Sequence, residues 1–351
     1  MTLGILKVFL PSVIAFTIGI LSTPVFTHFF YKYQLWKRVS RKENNVAMST
    51  AFQNLHDEKL EVNTPRVGGI IIWVSVILTI GFLAIIDIVM SAPITEKLNF
   101  LSRNQTLLPF GALILGGMIG LFEDFLEIFA ARASVFAQGL SSKYLVAIVL
   151  AIGFLCALWF YDKLGISQVY VPFLGYLQLG IWFIPFFMLV VFGTFSSRVI
   201  DGIDGLAGGV MAIAYAAYSV IALVQNQLDI AAFSLVVAGG ILAFLWFNIP
   251  PARFYMGETG MLGLTLTLAL IAFLTDGVFL LPVIGAMLVI TSLSSTIQIL
   301  SKKYRGKKVF LVAPIHHHFQ ALGWSREKIT MRYWIISIMM AVLGIVLAIV
   351  G

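Results

Sequence analysis

"VGGIIIWVSVILTIGFLAII", residues 67–86, carries no charged side chain across twenty consecutive positions. Twenty helical residues rise about 30 Å, the thickness of a bilayer's hydrocarbon core. The stretch lacks the alternating polarity of a membrane-barrel strand. In lipid, a helix is then the form that leaves no backbone group unpaired.

Further stretches share this character at about 8–27, 105–122, 144–161, 177–197, 206–228, 230–252, 259–275, 277–301 and 333–351. The composition agrees, since the chain is 60% hydrophobic and only 11% charged over 351 residues, too few charges to cover a soluble surface of that size. The expected fold is all-α: a polytopic integral membrane protein of about ten transmembrane helices, forming a single domain over 1–351. The first run has only Lys7 upstream and no small-residue cleavage site, so it reads as a retained helix and not a signal peptide. Cys156 is the one cysteine and lies inside the fourth stretch, which excludes a disulfide or a thiolate metal centre.

Lys and Arg fix the orientation. An even number of spans puts both termini on one side. Of the 23 basic residues, only Lys7, Lys97, Arg103 and Lys163 fall on that side. The others, among them Lys37, Arg38, Arg41, Lys42, Lys59, Arg132 and Lys143, fall in loops at about 31–66, 123–143, 198–205, 253–258 and 302–332. The positive-inside rule makes these loops cytoplasmic and both termini extracytoplasmic. The net charge of +7 is thus mostly a topological signal and gives no support to nucleic-acid binding.

Acids are informative by position. Glu123, Asp124 and Glu127 in "GLFEDFLEIF" (120–129), Asp201 and Asp204 in "RVIDGIDGLAGG" (198–209), and Glu258 in "RFYMGETGML" (253–262) all lie at helix ends on the basic side. A carboxylate at a helix start caps it and favours its dipole. Capping accounts for any one of these motifs but not for three on one face. Carboxylates converging from separate loops suit Mg²⁺, which takes hard oxygen ligands and recruits substrate phosphates. "TPRVGG" (64–69) and "GETG" (257–260) add Arg66 and glycines, among them Gly257, where a backbone N–H can approach an oxyanion.

Three of the five histidines, His316, His317 and His318, are adjacent in "APIHHHFQALGW" (313–324). Neighbours on a helix point 100° apart, so all three cannot ligate one ion. Imidazoles donate to phosphate or sugar oxygens and gain charge beside polyanions.

These motifs resemble those of the polyprenyl-phosphate N-acetylhexosamine-1-phosphate transferases. "APIHHHFQALGW" followed by "KITMRYWIIS" is most similar to the muramoyl-pentapeptide branch, whereas "GIDGLAGG", "FNIPPARFYMGETG" and "TPRVGG" match wider family motifs. The resemblance runs from residue 56 to 340 and implies ten helices with the active site in cytoplasmic loops of a bacterial inner-membrane protein. It implies transfer of phospho-N-acetylmuramoyl-pentapeptide from its UDP derivative to a polyprenyl phosphate, with release of UMP, dependence on Mg²⁺, and a homodimer.

Carried over by position, Glu123 and Asp124 stand for the family's acidic pair, with Asp124 near the acceptor phosphate. Asp201 and Asp204 match its "DGxDGL" acids. Glu258 takes the place of the principal metal ligand, with Asp201 beside it. Asn248, Gln298, Arg66, Gly257, His316 and His318 are implied to bind substrate, and His317 to act in catalysis. The chain departs from the pattern at Glu123 and Glu258, which replace aspartates. Phe195 and Arg198 stand where asparagines are usual, Met261 replaces a serine, and Arg66 is closer to the sister transferases.

Other readings are a transferase using UDP-N-acetylglucosamine, suggested by "TPRVGG" and opposed by "APIHHHF", and a non-catalytic homologue, favoured by the two glutamates. A transporter is opposed by acids that flank helices instead of lying at midplane.

Overall fold

The computed structural model describes residues 2–36, 63–90, 93–102, 105–130 and 141–351. Lys37, Arg38, Arg41, Lys42, Lys59, Arg103 and Arg132 lie outside them. The principal helices are α1 (Thr2–Lys32), α2 (Ile70–Met90), α3 (Leu107–Ala130), α4 (Ser142–Leu158), α5 (Phe183–Ser196), α6 (Leu206–Val224), α7 (Leu228–Asn248), α8 (Gly257–Leu274), α9 (Ala286–Arg305), α10 (Ile315–Ala321) and α11 (Arg326–Val350). Every apolar stretch read from the sequence is helical over most of its length. Eight helices among the described residues are long and apolar enough to cross a membrane, or nine if one bent pair is a single span.

That pair is Val278–Ile284 and α9, bent by 80° at Gly285. The stretch expected to span at 277–301 is therefore not one straight helix but a bent pair, the form of a broken span or a re-entrant loop. The all-α expectation is corrected by a small antiparallel hairpin, β1 (Gln168–Val171) and β2 (Gly175–Gln178), with Tyr170 opposite Tyr176. Tyr and Val favour strands, and this hairpin takes the start of the fifth expected span. The acids at 123–127 lie in the last turns of α3 and not in a loop.

Burial sorts the helices. α6, α7 and α8 are buried nearly all round, so their apolar residues show no single face. α1, α2 and α11 instead turn large apolar side chains outward, such as Leu21, Ile88 and Ile335. A water-facing surface does not carry that much exposed apolar area, and a lipid-facing one does. The two fully buried tyrosines of α6 find backbone partners: Tyr215 donates to the Leu264 carbonyl (2.7 Å), and Tyr218 to that of Gly277 (2.9 Å).

The two ends of the bundle differ. At one end Lys7 pairs with Asp229 at the start of α7, Tyr176 donates to Asp276 beyond α8, and Tyr170 to the Gly351 carbonyl. Both chain termini are at that end. The opposite end holds the first turn of α8 and the acidic motifs.

Candidate active site

"GGMIGLFED" (116–124) explains how α3 reaches α8. Small residues four apart let two helix backbones approach closely. A Cβ at Gly116 would lie 2.8 Å from the Gly263 Cα, and one at Gly120 only 2.0 Å from the Glu258 carbonyl oxygen. Asp124 lies one turn beyond Gly120 on the same face. It therefore meets the orphan N–H groups of α8's first turn.

There Asp124 is 3% exposed. Its Oδ2 accepts from the Thr259 N–H (2.8 Å) and hydroxyl (2.6 Å), and its Oδ1 from the Glu258 N–H (3.2 Å). Asp201 reaches the same turn from the other side: its Oδ2 accepts from the Gly257 N–H (3.2 Å). Two carboxylates read as separate motifs thus hold adjacent amides of one helix start, with Glu258 between them. Glu123, Asp124 and Glu127 each offer an oxygen, and these lie within 4.8 Å of one another.

Gly257 has φ +68°, and a Cβ there would meet the Arg66 carbonyl oxygen at 2.0 Å and Asp124 Oδ2 at 2.5 Å. Its N–H is taken by Asp201, so the glycine serves close approach of protein groups. The "TPRVGG" segment is laced to the loop before α8 by Tyr255 N–H to the Pro65 carbonyl (2.8 Å), Gly68 N–H to that of Tyr255 (2.9 Å) and Gly69 N–H to that of Met256 (3.0 Å).

Two arginines enter the cluster. Arg66 donates to Glu127 Oε2 (2.9 Å), and Arg198 forms an ion pair with Glu258 Oε1. Burial pushes the Asp201 carboxyl up to about 6, against the pull of Arg66 and of the Gly257 N–H. Burial also raises Asp204, opposed by the Ala252 N–H, which donates to its Oδ2 (3.2 Å).

The residues fit a divalent cation. Glu258 Oε2 is buried with no hydrogen-bond partner, and the surrounding donors are carboxylate oxygens, as Mg²⁺ prefers. More negative than positive groups meet here, and burial makes that excess costly without a further cation.

The histidines adjoin this site. A Cβ on Gly202 would stand 2.6 Å from His316 Nε2 and 2.9 Å from His317 Nε2, beside Asp201. His316 is fully buried, its ring 4.3 Å from that of His317. His317 Nδ1 bonds Gln320 Oε1 (2.6 Å), which turns Nε2 toward Gly202. His318 faces the other way and accepts from the Leu311 N–H (3.2 Å).

Asn248 and Gln298 spend their polar atoms on backbone. Asn248 accepts from the Gly205 N–H (2.9 Å) and donates to the Phe254 carbonyl (2.8 Å), tying the "DGIDG" turn to the loop before α8. Gln298 accepts from the Val309 and Phe310 N–H groups (3.0 Å each) and donates to the Phe310 carbonyl (2.9 Å).

Sequence reasoning counted Glu127 among the clustered acids and noted Arg198 as a departure without giving either a role, and it did not single out Thr259. Glu127 had a signal, since it lies four residues beyond Glu123 and three beyond Asp124, the spacings that make helix neighbours. The ion pair of Arg198 spans sixty residues and has no local mark.

Residues 106–276 match the model of a family described as glycosyl transferase family 4. The chain is 35% identical over 306 residues to a phospho-N-acetylmuramoyl-pentapeptide-transferase of Chloroflexus aurantiacus, covering 83% of this chain and 78% of that one. It is 34% identical over 344 residues to the protein of that name from Bacillus anthracis, covering 95% of each. With the relative from Chloroflexus aggregans it shares 32% over 350 residues, covering 96% of this chain and 88% of the relative. Identity of this extent, over most of the length of both chains, shows that the chain belongs to glycosyl transferase family 4, among the phospho-N-acetylmuramoyl-pentapeptide-transferases.

Proposed function

We propose that this chain transfers phospho-N-acetylmuramoyl-pentapeptide from its UDP derivative to undecaprenyl phosphate or a similar polyprenyl phosphate and releases UMP. This is the first membrane step of peptidoglycan synthesis, performed at the cytoplasmic face of a bacterial inner membrane by a ten-span, dimeric protein with extracytoplasmic termini. The observation that carries the reading is the convergence of Asp124, Asp201 and Glu258 on the first turn of α8.

A phosphate oxygen of the lipid bonds to the sugar-bearing β-phosphorus. The bond from that phosphorus to the oxygen bridging the α-phosphorus breaks, and its electron pair leaves with UMP. A phosphate monoester has its second pKa near 6, so the acceptor is largely dianionic at neutral pH and needs no strong base. Asp124 takes any residual proton and lies where the acceptor phosphate enters.

Glu258 and Asp201, with Glu123 and Asp124 nearby, would hold Mg²⁺, which would supply neutralisation of charge on the diphosphate. Arg66 faces the same phosphates. His317, with His316 behind it, contacts the nucleotide-sugar through Nε2, and His318 keeps the segment in place. Asp204, Asn248 and Gln298 hold the loops that carry these groups. A mostly apolar groove lined by Val190, Leu281, Pro282, Val289 and Leu293 runs past Ser197, the neighbour of Arg198, and suits an isoprenoid chain.

The test is Mg²⁺-dependent UMP release from UDP-N-acetylmuramoyl-pentapeptide, with and without polyprenyl phosphate. Release that requires both is expected; no release, or equal release from UDP-N-acetylglucosamine, overturns the reading. His317→Ala should lower kcat/KM by about 10- to 100-fold, the loss of one hydrogen bond to a charged group. A rate equal to wild type would remove His317 from the site.

A further inference from the structure

Arg198 sits against Glu258, the residue assigned to the metal. The short 3₁₀ turn Ser197–Ile200 delivers it, three residues ahead of Asp201. One turn of chain therefore reaches the start of α8 twice: through Arg198 to the Glu258 carboxylate, and through Asp201 to the Gly257 N–H. The guanidinium carbon lies 4.6 Å from the centroid of the Phe195 ring, so an aromatic face backs the cation and fixes its direction. Phe195 and Arg198 thus act as a unit.

The two oxygens of Glu258 differ. Oε1 is held by Arg198, while Oε2 is buried and has no hydrogen-bond partner. A guanidinium stays charged at any working pH. Its charge offsets one carboxylate permanently, and its hydrogen bond prevents Glu258 from turning both oxygens toward an ion. Mg²⁺ keeps octahedral geometry and takes phosphate oxygens where protein ligands leave room. A one-oxygen glutamate leaves that room.

We propose that Arg198 is a positioning residue of the metal site, the built-in counter-cation that makes Glu258 a single-oxygen ligand through Oε2. The proposal rests on the reading that Glu258 binds the divalent ion. It explains how a longer glutamate serves in place of an aspartate: the arginine takes up the extra reach.

The experiment measures Mn²⁺ affinity by electron paramagnetic resonance on the purified full chain, for wild type, Arg198→Gln and Arg198→Lys. Removing a fixed positive charge beside the ion should tighten Mn²⁺ binding about tenfold in Arg198→Gln. Arg198→Lys, which keeps the charge, should stay near wild type. Mn²⁺ should also raise the Tm of Arg198→Gln more than that of wild type, a response that a merely structural arginine would not give. Should Arg198→Gln fail to fold alone, Mn²⁺ during purification should restore it.

Equal or weaker Mn²⁺ binding in Arg198→Gln, or no restoration by the ion, overturns the proposal. UMP release separates the two readings. Normal release by wild type with unchanged affinity in Arg198→Gln removes only the role of Arg198. Tighter binding in Arg198→Gln without any release by wild type removes only the transferase reading. No Mn²⁺ binding in any of the three removes both.

Discussion

Asp124→Asn should reduce UMP release on the order of 100-fold or more, the scale seen when one preorganised electrostatic group is removed from a reacting centre. The substitution keeps shape and removes charge. It also removes an acceptor: Asp124 receives three hydrogen bonds on two oxygens, from the Thr259 N–H and hydroxyl and from the Glu258 N–H. The amide of asparagine has one acceptor oxygen, so its NH₂ must face a donor at the start of α8. That mismatch costs roughly 1–3 kcal/mol of stability, a small loss beside the effect on rate. Rate and Tm are measured together in detergent. A variant that keeps a rate within a few-fold of wild type would show that Asp124 only caps α8.

Gly257→Ala should disrupt the same site through the backbone. At φ +68° a side chain costs about 1–2 kcal/mol before any contact is counted. The new methyl would then stand 2.0 Å from the Arg66 carbonyl oxygen and 2.5 Å from Asp124 Oδ2. The first is backbone laced to the α8 loop and the second is held by Thr259, so neither yields cheaply. The start of α8 must move away from Asp124 and Asp201, and transfer should fall below detection with a lowered Tm. Gly111→Ala is the control, because a Cβ there meets nothing within 4 Å and its helix α3 favours alanine. Its Tm and rate should equal or slightly exceed those of wild type. Equal behaviour of the two variants would contradict the account of the α8 start.

The membrane helices were legible because lipid permits one backbone form, so a run such as 67–86 needs no tertiary information. The break at Gly285 was legible only in part: 277–301 carries no charge, and Pro282 and Gly285 punctuate it, but the size of the bend depends on how Val278–Ile284 packs. The β-hairpin at 168–178 was hidden by apolar residues that suit a strand as well as the start of a span.

At the site, the acids were legible by type and side. Their pairing was set by features read less readily. The glycines of "GGMIG" decide that α3 lies against α8, and hence that Asp124 meets Thr259. Arg198 and Arg66 carry no local sign of their partners Glu258 and Glu127, because ion pairs across sixty residues are written in the fold alone. Asn248 and Gln298 show the converse: residues implied to bind substrate spend their polar groups on the backbone that shapes the site.

The most direct test of a shared ion gripping a diphosphate is the ³¹P hyperfine coupling of Mn²⁺ in the presence of UDP-N-acetylmuramoyl-pentapeptide. One bound Mn²⁺ per chain should show strong phosphorus coupling, and both the ion and the coupling should be lost in Asp201→Asn and in Glu258→Gln. Mn²⁺ bound without phosphorus coupling, or a coupling that survives both substitutions, would contradict it.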